Sequence, residues 1–120
     1  MTRIFLAVFL FLFPTSLFAG EADVIDATAK KTGDGVYRIA ATVRHADDGW
    51  DHYANRWEVL DKDGVVLATR VLAHPHDDEQ PFTRSLSGIK IPGGADFVII
   101  RAHDSVHGYG GAEFKLVLKK

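Results

Sequence analysis

The chain has 120 residues, with 14 basic and 16 acidic side chains and a net charge of −2. This balance argues against a nucleic-acid-binding protein, which would present a strongly basic face. There is no cysteine, and the only methionine is Met1, so disulfides, thiolate nucleophiles, iron–sulfur clusters, cysteine-attached haem and blue-copper sites are excluded.

The first segment has the features of a secretory signal peptide. Arg3 gives it a positive start, ten apolar residues follow over 4–13, and small residues then suit cleavage after Ala19 or after Ala22. A membrane-spanning helix needs about 20 apolar residues, and no cysteine follows the run as a lipidation site. We therefore predict a signal peptide over 1–20, a single domain over 21–120, and a periplasmic or secreted location.

The rest of the chain is typical of an all-β domain. Turn-forming sequences rich in glycine, aspartate and proline recur along it and separate short apolar runs. These turns lie at 33–35, 61–64, 91–94 and 108–111. We predict seven strands, at 23–31, 35–45, 54–61, 65–72, 82–90, 96–103 and 112–119.

The strand patterns predict how these strands are layered. In the second strand, every second side chain from Tyr37 to Val43 is apolar, which indicates a half-buried antiparallel sheet. The sixth strand is apolar on both faces over 97–100, as is typical of a central strand. Seven short strands at this spacing predict an antiparallel immunoglobulin-like sandwich, with Trp57 of the third strand in the core.

Histidines are concentrated in the predicted loops of one end of this sandwich. The loops after the second, fourth and sixth strands emerge at the same end, and all histidines lie in them or at the adjoining strand ends. They are His45, His52, His74, His76, His103 and His107. Seven carboxylates lie in the same loops: Asp47, Asp48, Asp51, Asp77, Asp78, Glu79 and Asp104.

This combination predicts a metal site. Neutral imidazole is the commonest protein ligand for transition metals, and carboxylates can bind the ion or hold the second nitrogen of a ligand imidazole. Pro75 restricts the backbone between His74 and His76, which places both imidazoles on one side. We take the six histidines and Asp104 as the pool of ligands. With nitrogen and oxygen ligands alone, Cu(II) is favoured over Zn(II), for buffering, delivery or sensing of the metal.

Two segments resemble the iron domain of superoxide reductases of the desulfoferrodoxin type. They are His45-Ala-Asp-Asp-Gly-Trp-Asp-His52-Tyr53 and His103-Asp-Ser-Val-His107-Gly108. The resemblance implies an immunoglobulin-like sandwich that binds iron, with His45, His52 and His107 at ligand positions. Asp104 stands where that family has its cysteine, so the axial thiolate that makes the iron reductive is missing.

A longer resemblance covers residues 44–111. The pattern Arg-His…Gly-Trp-x-His-Tyr…His-Pro-His…Glu-Gln-Pro-Phe-Thr-Arg is similar to that of small exported bacterial proteins. This resemblance implies export and no particular activity.

Two other functions remain open from the sequence. An open histidine site could activate water or handle superoxide as a metalloenzyme, although no catalytic triad can be assigned from the spacing. Alternatively, the loops could bind another protein, with the histidines acting as pH-sensitive contacts.

Overall fold

The computed structural model describes residues 20–119. It contains seven strands: β1 (Asp23–Gly33), β2 (Val36–Arg44), β3 (Ala54–Leu60), β4 (Val66–Val71), β5 (Phe82–Lys90), β6 (Phe97–Asp104) and β7 (Phe114–Val117). Each strand overlaps the segment predicted from the sequence. Within residues 20–119, no helix is long and apolar enough to cross a membrane. The predicted signal peptide lies almost entirely outside the described residues and stays a prediction.

The strands form two antiparallel sheets, with the orders β1-β2-β5 and β4-β3-β6-β7. This is an immunoglobulin-like sandwich in which the fourth strand pairs with the third, so the predicted fold class is confirmed. The β3–β4 hairpin closes at the predicted turn. Asp61 Oδ1 accepts hydrogen bonds from the N–H groups of Asp63 and Val65 at 2.8 and 2.9 Å, and Gly64 takes a φ of +84°, which favours glycine.

The core lies between the two sheets and follows a period of two residues. The side chains of β2 that the sequence pattern assigned to one face, from Tyr37 to Val43, are buried, and Trp57 is fully buried. In β6, buried side chains alternate with half-buried ones, and the strand lies between β3 and β7, so its predicted central position is confirmed. The half-buried side chains of β6 lie on the outer face of its sheet, since an antiparallel sheet needs only one fully covered face.

The same period places two polar residues at the end of the core. His45 follows Val43 by two residues and Asp104 follows Ala102 by two, so both continue an inward-facing row. Both are buried, with exposed fractions of 3% and 0%. His103, one position earlier, belongs to the outer face. The sandwich therefore brings His45 and Asp104 together between its sheets.

Candidate metal centre

Three side chains converge between the loops at this end. Ligand atoms of His45, His52 and Asp104 all lie within 4.8 Å of one another. The Nε2 atom of His45 is 3.5 Å from Asp104 Oδ2, and the Nε2 atom of His52 is 3.4 Å from Asp104 Oδ1. Two atoms bound at 2.0–2.1 Å to one tetrahedral ion lie about 3.4 Å apart. The two imidazole-to-carboxylate distances, each to a different oxygen of Asp104, are therefore close to those within a coordination sphere.

Asp104 is held as a carboxylate by the loop that follows β6. Its Oδ1 accepts hydrogen bonds from the N–H groups of Val106 and His107, and Gly108, with a φ of +74°, lets the chain turn back toward it. Burial alone would raise the pKa of Asp104, but these hydrogen bonds and the nearby His45 lower it below its ordinary value. A buried anion therefore faces the two imidazoles.

His45 is fixed through both of its ring nitrogens. Its Nδ1 lies 2.6 Å from Asp47 Oδ1, and its Nε2 lies 2.9 Å from the carbonyl oxygen of Gly20. Burial lowers the pKa of His45, but the hydrogen bond to Asp47, the charges of Asp47 and Asp104 and the Gly20 carbonyl raise it above 6.5 overall. Because both nitrogens face acceptors, the imidazolium fits this arrangement. A metal ion would replace the proton on Nε2.

Asp47 supports this ring from a buried position of its own. Its carboxylate also accepts hydrogen bonds from the N–H groups of Ala54 and His76, at 3.1 and 2.6 Å. Burial would raise the pKa of Asp47, yet the His45 contact and these N–H groups lower it. A carboxylate on the second nitrogen is the usual way in which a ligand imidazole is oriented and made more basic.

His52 has a buried ring nitrogen, Nε2, without a hydrogen-bond partner among residues 20–119. The 3.4 Å distance to Asp104 Oδ1 lies within ion-pair range, but the contact lacks hydrogen-bond geometry. Leaving a buried polar atom unsatisfied costs about 1–3 kcal/mol. An ion between His52 and Asp104 would satisfy it, so the residues fit a metal.

His107 lies on the open side of this group. Its Nδ1 is 3.3 Å from Asp104 Oδ2, its ring centroid is 4.8 Å from that of His52, and its side chain is 37% exposed. The exposed imidazole therefore lies beside Asp104 and His52, on the solvent side of the three converging ligand atoms.

His74 and His76 lie at the same end but outside this group. Their ring centroids are 4.8 Å apart, so the two imidazoles do lie side by side as predicted. His76 stacks on Phe82 at 3.9 Å and is buried; burial and the charge of Arg84 lower its pKa. His74 is exposed, with Nδ1 beside the carbonyl of Pro75. His76 therefore contributes to the centre by donating its backbone N–H to Asp47.

His103 lies on the outer face of the second sheet. Its Nδ1 is 2.7 Å from Asn55 Oδ1, and its ring packs edge-on against Tyr109. Burial and the charge of Arg56 lower its pKa. Successive side chains of a strand point to opposite faces of the sheet. Asp104 therefore points inward, and His103 points away from the centre.

The remaining predicted carboxylates lie on the solvated surface of the loops. Asp77 accepts a hydrogen bond from the N–H of Gly49, and Glu79 pairs with Arg84. Those exposed to solvent are Asp48, Asp51, Asp77, Asp78 and Glu79. None of them belongs to the group of converging ligand atoms.

Polar contacts between the three loops hold the centre in place. The loop after β4 is tied to the loop after β2 through Asp47 and Gly49, and the loop after β6 is tied to it by the N–H of Tyr53, which donates to Ser105 Oγ at 3.0 Å. Gln80 also links the loops after β2 and β4. Its Oε1 accepts a hydrogen bond from the N–H of His45, and its Nε2 donates one to the carbonyl of His76, both at 2.9 Å. The contacts of Gln80 and of the Gly20 carbonyl with this site were not predicted from the sequence, because no local sequence pattern indicates them.

The chain is similar to a curated protein of Halomicrobium mukohataei that is named "Putative lipoprotein". The two sequences are 43% identical over 91 residues. The match covers 76% of this chain and 44% of the relative, so the chain spans less than half of that protein's length. No family model matches the chain, and no solved structure matches it.

Proposed function

We propose that this domain binds one divalent transition-metal ion, Cu(II) or Zn(II), through His45, His52 and Asp104, with His107 as the fourth ligand. The observation that carries the proposal is the buried, unpartnered Nε2 of His52, which faces a buried carboxylate. A set of three imidazoles and one carboxylate suits tetrahedral Zn(II), and the Irving–Williams order gives Cu(II) the higher affinity. The four residues are also those that the desulfoferrodoxin resemblance puts at metal-ligand positions.

The role that best fits this centre is buffering or delivery of the metal outside the cytoplasm. His107 is more exposed than the other three proposed ligands, of which His45 and Asp104 are buried, so an incoming ion can meet His107 before the others enclose it. Reductive iron chemistry is not supported, since the chain has no cysteine to supply a thiolate.

Export is part of the proposal. The apolar run over 4–13 has the character of a signal peptide, and the Halomicrobium mukohataei relative is named as a lipoprotein. We therefore propose that the domain lies in the periplasm or is secreted.

Metal titration of protein purified without a histidine tag tests the proposal. We expect one Cu(II) or Zn(II) per chain by calorimetry and elemental analysis. His52→Ala and Asp104→Asn should each abolish this binding. His74→Ala is the matched control, since it removes an exposed imidazole from the same end and should leave the stoichiometry unchanged. Equal loss of binding in all three variants, or none in any, would refute the assigned ligands.

A second candidate is recognition of another protein at this end of the sandwich. Trp50 is 66% exposed and packs edge-on against Tyr53, while Val106 in the loop after β6 is 58% exposed. Exposed tryptophan and tyrosine are typical of interaction surfaces. A protein retained from a periplasmic extract by the wild-type domain and released by Trp50→Ala would favour this function.

A further inference from the structure

The segment just after the predicted signal peptide belongs to the folded domain. Ala22 is 1% exposed and lies in the core. Its carbonyl oxygen approaches Gly111 so closely that a Cβ there would lie 1.9 Å from it, so only glycine permits this contact. Two hydrogen bonds, from Val24 N to Ala112 O and from Ala112 N to Asp23 Oδ1, join the neighbouring residues.

This packing distinguishes between the two cleavage positions. Cleavage after Ala22 would remove a buried core residue, whereas cleavage after Ala19 preserves the whole segment. Cleavage after Ala19 also leaves Gly20 as the first residue of the mature chain.

Gly20 contacts the metal centre directly. Its carbonyl oxygen lies 2.9 Å from His45 Nε2, the atom that we propose as the ligand of His45. In a five-coordinate ion, neighbouring ligand atoms bound at 2.0–2.1 Å and at right angles lie about 2.9 Å apart, so three side chains and two Gly20 atoms would form such a set in place of the tetrahedral one. In a mature chain that begins at Gly20, a free α-amino nitrogen would be only three covalent bonds from this oxygen.

We propose that signal cleavage creates a metal ligand: the α-amino nitrogen of Gly20, together with its carbonyl oxygen, chelates the ion held by His45, His52 and Asp104. A signal peptidase would hydrolyse the Ala19–Gly20 peptide bond with one water molecule, leaving a carboxylate on Ala19 and an ammonium on Gly20. The ion displaces one proton from this ammonium and closes a five-membered chelate ring. This inference rests on the proposed metal function and deepens it, because full affinity then arises only in the processed, exported chain.

The test uses the precursor, exported by its own leader and purified from the periplasm, with the amino terminus established by intact mass. One threonine inserted between Ala19 and Gly20 keeps the Gly20 carbonyl but moves the amine one residue away. We expect this insertion to weaken Cu(II) or Zn(II) binding about tenfold or more, which corresponds to about 1.4 kcal/mol. Gly20→Ala is the matched control, since it keeps both donor atoms, and its affinity should stay within about twofold of wild type.

A chemical footprint gives an independent readout. Acetylation of the α-amino group, followed by mass spectrometry, should slow about tenfold or more when Zn(II) is bound. The exposed amine of Lys30 serves as the internal standard, and its rate should not change.

The outcomes separate this inference from the function on which it rests. A mature chain that begins at Asp23 would overturn the chelate. Wild-type affinity in the insertion variant, with an α-amine that stays reactive while His52→Ala still abolishes binding, would overturn the chelate and leave the metal function standing. Absence of Cu(II) and Zn(II) binding in the processed wild-type chain would overturn both.

Discussion

Asp47 Oδ1 lies 2.6 Å from Nδ1 of His45, and both side chains are fully buried. Replacing this carboxylate by the amide in Asp47→Asn removes the charge that orients the imidazole and makes it more basic. Loss of such a partner typically weakens metal binding 10–100-fold. Calorimetric titration with Zn(II) should show this loss with the stoichiometry kept at one, whereas an unchanged dissociation constant would mean that His45 does not bind the ion.

The metal should stabilise the folded domain measurably. Binding to the native state alone adds RT ln(1 + [L]/Kd), about 2.7 kcal/mol at a hundredfold excess over Kd. For a domain of this size, that corresponds to a rise of roughly 10–20 °C in Tm. Differential scanning calorimetry should show the rise in wild type and its loss in His52→Ala.

His76→Ala separates a structural role from a ligand role. His76 stacks on Phe82 and donates its backbone N–H to Asp47, so its removal opens a cavity at the edge of the core. We expect the metal-free protein to melt several degrees lower, in keeping with about 1–2 kcal/mol of lost packing. Most of the metal-induced rise in Tm should remain, and loss of the rise would show that His76 is a ligand.

Metal affinity should fall as the pH is lowered. The ion needs the unprotonated Nε2 of His45, and Asp47 and Asp104 outweigh burial in raising the pKa of this imidazole above 6.5. Protons therefore compete with the metal more strongly than they would at an ordinary imidazole, and binding releases them. Titrations between pH 8 and pH 5, in buffers of different ionisation enthalpy, should show that metal affinity falls with pH and that binding releases protons. Equal affinity at pH 8 and pH 5 would contradict ligation by imidazole.

Glu58, on the outer face, gives a test of stability that is independent of the metal. Its carboxylate is 2.8 Å from Arg101 Nε and accepts a hydrogen bond from the Tyr109 hydroxyl at 3.0 Å. Burial would raise the pKa of Glu58, but these contacts and Arg56 lower it below 4.5. The stabilisation is therefore present above about pH 4.5 and is lost as the pH falls through the folded-state pKa.

Accordingly, Glu58→Gln should lower the free energy of unfolding by about 1–3 kcal/mol at pH 7, because it leaves the hydrogen-bond donors of Arg101 and Tyr109 partly unsatisfied. The difference from wild type should shrink near pH 3 in urea denaturation, and metal affinity should not change. A constant difference across this pH range would show that the charge of Glu58 contributes nothing.

The fold was predictable from the sequence because strands and turns have local signals. Tyr37 to Val43 show the period of two, and Asp61 and Gly64 form the turn expected of them. The same alternation, continued two residues past Val43 and Ala102, predicts that His45 and Asp104 point inward and that His103 points outward. Loop side chains such as His52, His76 and Gln80 have no such period, so their neighbours depend on how the three loops meet. The Gly20 contact depends on tertiary packing in the same way.

The most direct test of the central claim is an anomalous difference map from crystals of the processed protein grown with Zn(II). We predict one strong peak between the sheets, bonded to Nε2 of His45, Nε2 of His52 and a carboxylate oxygen of Asp104, at about 2.0–2.2 Å from each. An empty centre with zinc only at the exposed His74, or a centre in which His52 Nε2 stays unbound, would contradict it.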